Sequence, residues 1–213
     1  IRLDGLPLAI ELAAARLKVL DVATITERLE ARFALLQRGP RDAPLRHQTL
    51  QNAVDWSYDL LTDEEQALFR RLSVFVGGCT LAAVEAIWSA TDETDNTLNL
   101  VTSLVDKSLL LRQEQDDGVL RFTQLETIRA YGQEKLRATG ELAAAQDAHA
   151  GYFLWLAEQA EPMLFGGEQT IWLARLGREH DNLRAALRWS LQKEEPSMAA
   201  RLGISLWHYW YIR

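Results

Sequence analysis

Apolar residues recur at helical spacing along most of this chain, and the period changes only once. Leu109-Leu110-Leu111 and Val119-Leu120-Arg121-Phe122 are short strand-like runs on either side of polar residues that end in Asp116-Asp117-Gly118. Glycine accommodates the positive φ of a tight turn, so the two runs are expected to pair as a β-hairpin. One hairpin in an otherwise helical chain leaves few architectures. Helices, then the hairpin, then a closing helix from Leu125 to Leu136 is the order of a winged helix, and it places that domain over residues 45–138.

The helices before the hairpin can be argued locally. Leu50, Val54, Trp56, Leu60 and Leu61 share a helical spacing, and Thr62 with Glu65 forms a capping box opening a helix with the stripe Leu68, Phe69, Leu72 and Phe75. Gly77-Gly78 is expected to end that helix. Leu81 to Trp88 reads as a short helix, and the acidic run Asp92 to Asp95 as a solvated loop. Leu98, Leu100, Val101, Leu104 and Val105 then mark the helix that precedes the hairpin.

The flanking segments are helical too. In residues 1–44, Asp4 or Gly5 caps a helix with Pro7 near its first position, followed by Leu8, Ile10, Leu12 and Ala13 to Ala15. Thr24 with Glu27 opens a second helix to about Phe33, before a connector at Gly39-Pro40 and Pro44. In residues 139–213, Tyr152, Phe153, Trp155 and Leu156 share one helix, and Trp172, Leu173 and Leu176 the next. Leu183, Ala186, Leu187 and Trp189 mark a third, and Pro196 starts a fourth, running to Tyr211. Helices of this length, punctuated by Pro162 and Gly166-Gly167, are expected to form antiparallel pairs of a solenoid. The seven tryptophans read as inter-helix core.

Composition narrows the function classes. At 48% apolar and 25% charged residues, disorder is not expected. No uninterrupted apolar stretch is long enough for a membrane span. Cys79 is the only cysteine, which excludes an internal disulfide and fits a cytoplasmic location; it reads as a small buried residue rather than a nucleophile. His47, His149, His180 and His208 lack metal-ligand spacing, and no nucleophile turn surrounds Ser57, so no catalytic or metal residue is assigned. The net charge of −7 divides as +1, −6 and −2 over residues 1–44, 45–138 and 139–213, so the winged-helix segment is acidic. The chain opens at Ile1 and stops inside an apolar helical pattern, so both ends are expected to be internal to a longer protein.

Leu3-Asp4-Gly5-Leu6-Pro7-Leu8-Ala9-Ile10-Glu11-Leu12 resembles the GLPL motif of NB-ARC and related STAND nucleotide-binding proteins, in the version found in bacterial ATPase-type transcriptional regulators of the LuxR and SARP kind. Further blocks follow in that family's order: His47 to Leu50, Trp56 to Leu61, Phe69 to Gly78, Leu125 to Tyr131 and Glu179 to Leu187. The resemblance implies a mainly α chain with three parts. Residues 1–44 would be the helical end of an NB-ARC-like nucleotide-binding module, 45–138 a winged helix, and 139–213 the start of TPR-like α-hairpins. It also implies that Gly5, Leu6, Pro7 and Leu8 line an ATP/ADP pocket, with Pro7 against the base.

Relatives often carry Met-His-Asp in the winged helix, where the histidine senses the ADP diphosphate. Gln124-Leu125-Glu126 falls at those positions, and a leucine cannot donate to phosphate, so that role is not carried over. Glu126 is explained by the helix dipole. No GxxxxGK(S/T) loop or magnesium-binding acidic strand end occurs, so hydrolysis and Mg²⁺ binding are expected of elements N-terminal to GLPL, and none of the segment alone.

Three functions follow. The first is the switch segment of an ATP/ADP-controlled regulator, partnered by the rest of its nucleotide-binding domain, sensing an inducer at the repeats, able to homo-oligomerise when active, and reaching DNA through a domain outside this segment. The second is a winged helix that reads DNA itself with the helix Thr97 to Lys107, although that helix offers one lysine beside Asp106. The third is a helical scaffold without a nucleotide role, binding proteins through Tyr152, Trp155, Trp172 and Trp210.

Overall fold

The computed structural model describes residues 50–88, 96–115, 117–193 and 196–212. The helices expected in residues 1–44 and the acidic run Asp92 to Asp95 lie outside the described residues. In chain order the elements are α1 (Leu50–Asp59), α2 (Asp63–Leu72), α3 (Leu81–Trp88), α4 (Thr97–Asp106), β1 (Leu111–Glu114), β2 (Leu120–Thr123), α5 (Glu126–Ala138), α6 (Leu142–Met163), α7 (Gln169–Arg178), α8 (His180–Gln192) and α9 (Pro196–Ile212). The chain is mainly helical, with one two-stranded antiparallel hairpin among the described residues.

The capping box at Thr62 forms as the spacing indicates. The Glu65 N–H donates to the Thr62 hydroxyl at 3.3 Å, and the Thr62 N–H donates to the Glu65 carboxylate at 2.8 Å. The end of α2 falls earlier than the glycine pair. The N–H groups of Ser73, Val74 and Phe75 bond three residues back, at 3.1–3.3 Å, and the Ser73 hydroxyl donates to the Arg70 carbonyl. These bonds tighten and close the helix at Leu72. Gly77 and Gly78, with φ of 77° and 89°, instead turn the chain into the sheet.

The extent of the first strand also differs from expectation. Leu109 and Leu110 are not strand residues; both donate their N–H to the Leu104 carbonyl, at 3.0 and 3.2 Å, and are buried beneath α4. β1 is exposed throughout, so two leucines gain more from the core than from a place in that strand. β1 pairs with β2 from Leu111 opposite Thr123 to Glu114 opposite Leu120, and the turn glycine, Gly118, has φ of 77°. On the far edge of β2, Cys79 and Phe122 exchange backbone hydrogen bonds at 2.9 and 2.8 Å. The wing therefore gains a third, single-bridge strand.

One core runs through the molecule. Phe69, Leu72, Trp88, Leu104, Tyr131 and Leu136 fill the winged helix, and the same cluster continues through Phe153, Leu156, Leu183, Ala186, Leu202 and Tyr209. α6 packs most extensively on α8 and α9 and more lightly on its sequence neighbour α7. Trp88 is core, whereas Trp155 and Trp207 are about half exposed. No helix among the described residues is long and apolar enough to cross a membrane.

Candidate functional site at the winged-helix face and its joint to the helical array

Gly5, Leu6, Pro7 and Leu8, the expected nucleotide-binding residues, lie outside the described residues. The structure does place the Gln124-Leu125-Glu126 positions. Gln124 follows β2, is buried, and donates its amide to the Phe69 carbonyl at 3.0 Å. Leu125 caps α5 in an extended conformation without a side-chain hydrogen bond. Glu126, in the first turn of α5, is held by the Arg129 guanidinium at 2.7 and 2.8 Å, so its role includes an ion pair as well as the helix dipole.

These residues border a cavity of about 260 Å³ between the end of α2, the glycine turn, the hairpin and α5. Leu72, Phe75, Leu110 and Phe122 supply apolar walls, and Gln113, Gln124, Glu126 and Arg129 the polar ones. Arg129 is the one cation among its described lining residues. At this volume the cavity falls just below the range of about 300–1,000 Å³ typical of small-molecule pockets.

α4 is the helix that the winged-helix order presents as a DNA reader. Its buried side is Thr97, Leu100, Val101 and Leu104, and its exposed side is Leu98, Asn99, Thr102 and Asp106. Lys107 follows at the C-cap, and its ammonium lies 2.6 and 2.7 Å from the two carboxylate oxygens of Glu65. Burial pushes the Glu65 carboxyl up, but the Lys107 and Ser103 hydrogen bonds and the Thr62 N–H outweigh that and hold it at about 2.

A second polar group joins the winged helix to the array. Arg121 on β2 is buried; it makes a close ion pair with Glu179, between α7 and α8, and donates to the Gly78 carbonyl at 2.9 Å. Asn182 on α8 is fully buried, accepts the Val76 N–H at 2.7 Å and donates to Gly78 O at 2.9 Å and to Glu179 at 2.8 Å. His149 on α6 sits 3.3 Å from Asn182 Oδ1 and against the rings of Phe75 and Phe153. Arg178 pairs with Asp117 at the wing tip. Nothing local in the sequence announces this joint; its one trace is Glu179 and Asn182 standing at i and i+3 within the block Glu179 to Leu187.

Cys79 is buried within the sheet bridge, and burial pushes its thiol well up, in keeping with a packing role. Among the described residues no three His, Cys, Asp or Glu side chains group so as to hold a metal ion.

Residues 61–137 match the family model of a winged helix-turn-helix domain. Over all 213 residues the chain is 43% identical to provisionally named HTH-type transcriptional regulators of Mycobacterium bovis and Mycobacterium tuberculosis, covering 24% of each. It is 39% identical over 145 residues to an uncharacterized protein of Mycobacterium tuberculosis, covering 67% of this chain and 37% of that protein. No solved structure matches the chain. It thus carries a winged helix-turn-helix domain and is homologous to those regulators, spanning about a quarter of their length.

Proposed function

We propose that the chain is a regulatory segment of a cytoplasmic, nucleotide-switched transcriptional regulator of the STAND type. In this reading residues 1–44 close one wall of an ATP/ADP pocket through Gly5, Leu6, Pro7 and Leu8. The winged helix, residues 45–138, is the moving part, and residues 139–213 begin TPR-like repeats that sense an inducer. The phosphate loop and Mg²⁺ site belong to the remaining nucleotide-binding domain, and DNA is reached through another domain. Arg129, the cation at the cavity near Leu125, is bound bidentately by Glu126, so a phosphate meeting it in place of the missing histidine would have to displace that carboxylate.

The observation that favours a switch over a DNA reader is the surface of α4. Its exposed residues are Leu98, Asn99, Thr102 and Asp106, and Lys107 is bound to Glu65. Non-specific DNA affinity comes from lysine and arginine displacing counterions from phosphates, and this face offers none. The second reading, direct DNA binding by the winged helix, is favoured by the family match and by the names of the relatives.

The nucleotide claim is tested on the full-length protein by denaturing it after purification and quantifying what it releases. The reading expects stoichiometric ADP from the wild type and a several-fold loss in Pro7→Ala. A full-length protein without a phosphate loop, or one releasing no nucleotide, overturns it.

A further inference from the structure

We infer that Glu179 and Asn182, at the start of α8, form a latch through which the helical array holds the glycine turn and the wing of the winged helix. Three observations meet here. Asn182 accepts the Val76 N–H at 2.7 Å and donates to Gly78 O at 2.9 Å, holding the turn from both sides. Glu179 receives Arg121 from β2 and the Asn182 amide, so the wing and the turn converge on one carboxylate. Of the polar residues in the block Glu179 to Leu187, only Glu179 and Asn182 are buried, whereas Asp181 and Arg184 face solvent.

Apolar side chains would provide adhesion at lower desolvation cost than a buried ion pair. Directional bonds to backbone groups add something adhesion does not: a single position of the turn relative to α8. That turn has two sides. Gly77 and Gly78 meet α8 on one and line the 260 Å³ cavity on the other, together with Phe122 and Thr123 of the wing. A displacement at the α7–α8 junction therefore reaches the cavity through a few atoms. Its use as a signal path rests on the switch reading; the latch itself does not.

Hydrogen exchange on the 213-residue chain tests the latch. Asn182→Leu keeps a γ-branched side chain, though a bulkier one, and removes its hydrogen bonds, while Leu206→Ala in α9, a buried apolar residue outside the joint's hydrogen bonds, is the control for general destabilisation. The latch requires exchange in residues 76–79 and 111–123 to rise about tenfold or more in Asn182→Leu, beyond any change in residues 142–160. Leu206→Ala should show no such bias. The latch is rejected when those two segments exchange as in the wild type, or rise by the same factor as the rest of the chain. Should Asn182→Leu fail to fold, Glu179→Gln, which keeps the shape and removes the charge, decides by the same comparison. The assay contains neither nucleotide nor DNA, so its failure and the failure of the proposed function are separate outcomes.

Discussion

The Lys107 ammonium lies 2.6 Å from one Glu65 oxygen and 2.7 Å from the other, so the cation at the end of α4 is engaged inside the domain. The same carboxylate closes the capping box of α2 and accepts the Ser103 hydroxyl. Start of α2 and end of α4 are thereby tied at one side chain. Glu65→Gln should cost about 1–2 kcal/mol at pH 7, below the range for fully buried pairs because Lys107 is partly exposed. Urea unfolding of the two proteins measures it.

The acid dependence of that difference follows from its sign. Burial raises the Glu65 carboxyl, but Lys107 and Ser103 prevail and hold it at about 2, below the ordinary 4.5. A carboxylate depressed on folding stabilises above its unfolded value, and the contribution is lost as pH falls through the folded one. The stability gap between wild type and Glu65→Gln should therefore be full above about pH 5 and close towards pH 2. A gap unchanged from pH 6 to 2.5 would contradict it.

His149 acts in a higher window. Its burial lowers the imidazole from 6.5 to about 4, against the opposing Asn182 hydrogen bond. The unfolded chain then binds a proton that the folded chain refuses, so stability falls as pH drops from about 6.5 to 4, by on the order of 3 kcal/mol in all. His149→Phe, which keeps a ring against Phe75 and Phe153, should flatten the stability curve over this interval while leaving the lower Glu65 window in place.

Gly78 and Gly118 share a positive φ but not a neighbourhood. A Cβ on Gly78 would lie 2.4 Å from Thr123 Oγ1 and 2.8 Å from the Phe122 carbonyl, whereas nothing lies within 4 Å of one on Gly118. Gly118→Ala should cost about 1 kcal/mol, from the backbone alone, and Gly78→Ala at least about 3 kcal/mol, from backbone and clash together. Thermal unfolding midpoints of the two variants separate the contributions.

The parts of the fold that were legible from sequence are those set by near neighbours. Thr62 with Glu65, Leu81 to Trp88, Pro196 and Gly118 act within a few residues, and each appears where its local chemistry requires. Leu109 and Leu110 misled because an apolar run reads as a strand until the core that takes it in is known. The joint was illegible for a related reason: Asn182 and Gly78 are 104 residues apart, and nothing local marks either as the other's partner. Of the candidate site, Gly5 to Leu8 rest on resemblance, and Leu125 is placed at the rim of a cavity that no spacing in the sequence announces.

The central claim, that this winged helix is a switch rather than a DNA reader, meets its most direct test in a DNA titration. A labelled mixed-sequence duplex is titrated with the 213-residue chain at about 50 mM salt and followed by fluorescence anisotropy. On the switch reading, no binding is expected up to about 100 µM, which equals the weakest non-specific dissociation constants at physiological salt and exceeds those at about 50 mM, where such binding is tighter. Micromolar binding that weakens steeply with salt, and is lost when Asn99 and Thr102 on α4 are replaced by glutamate, would contradict it and make α4 the reader.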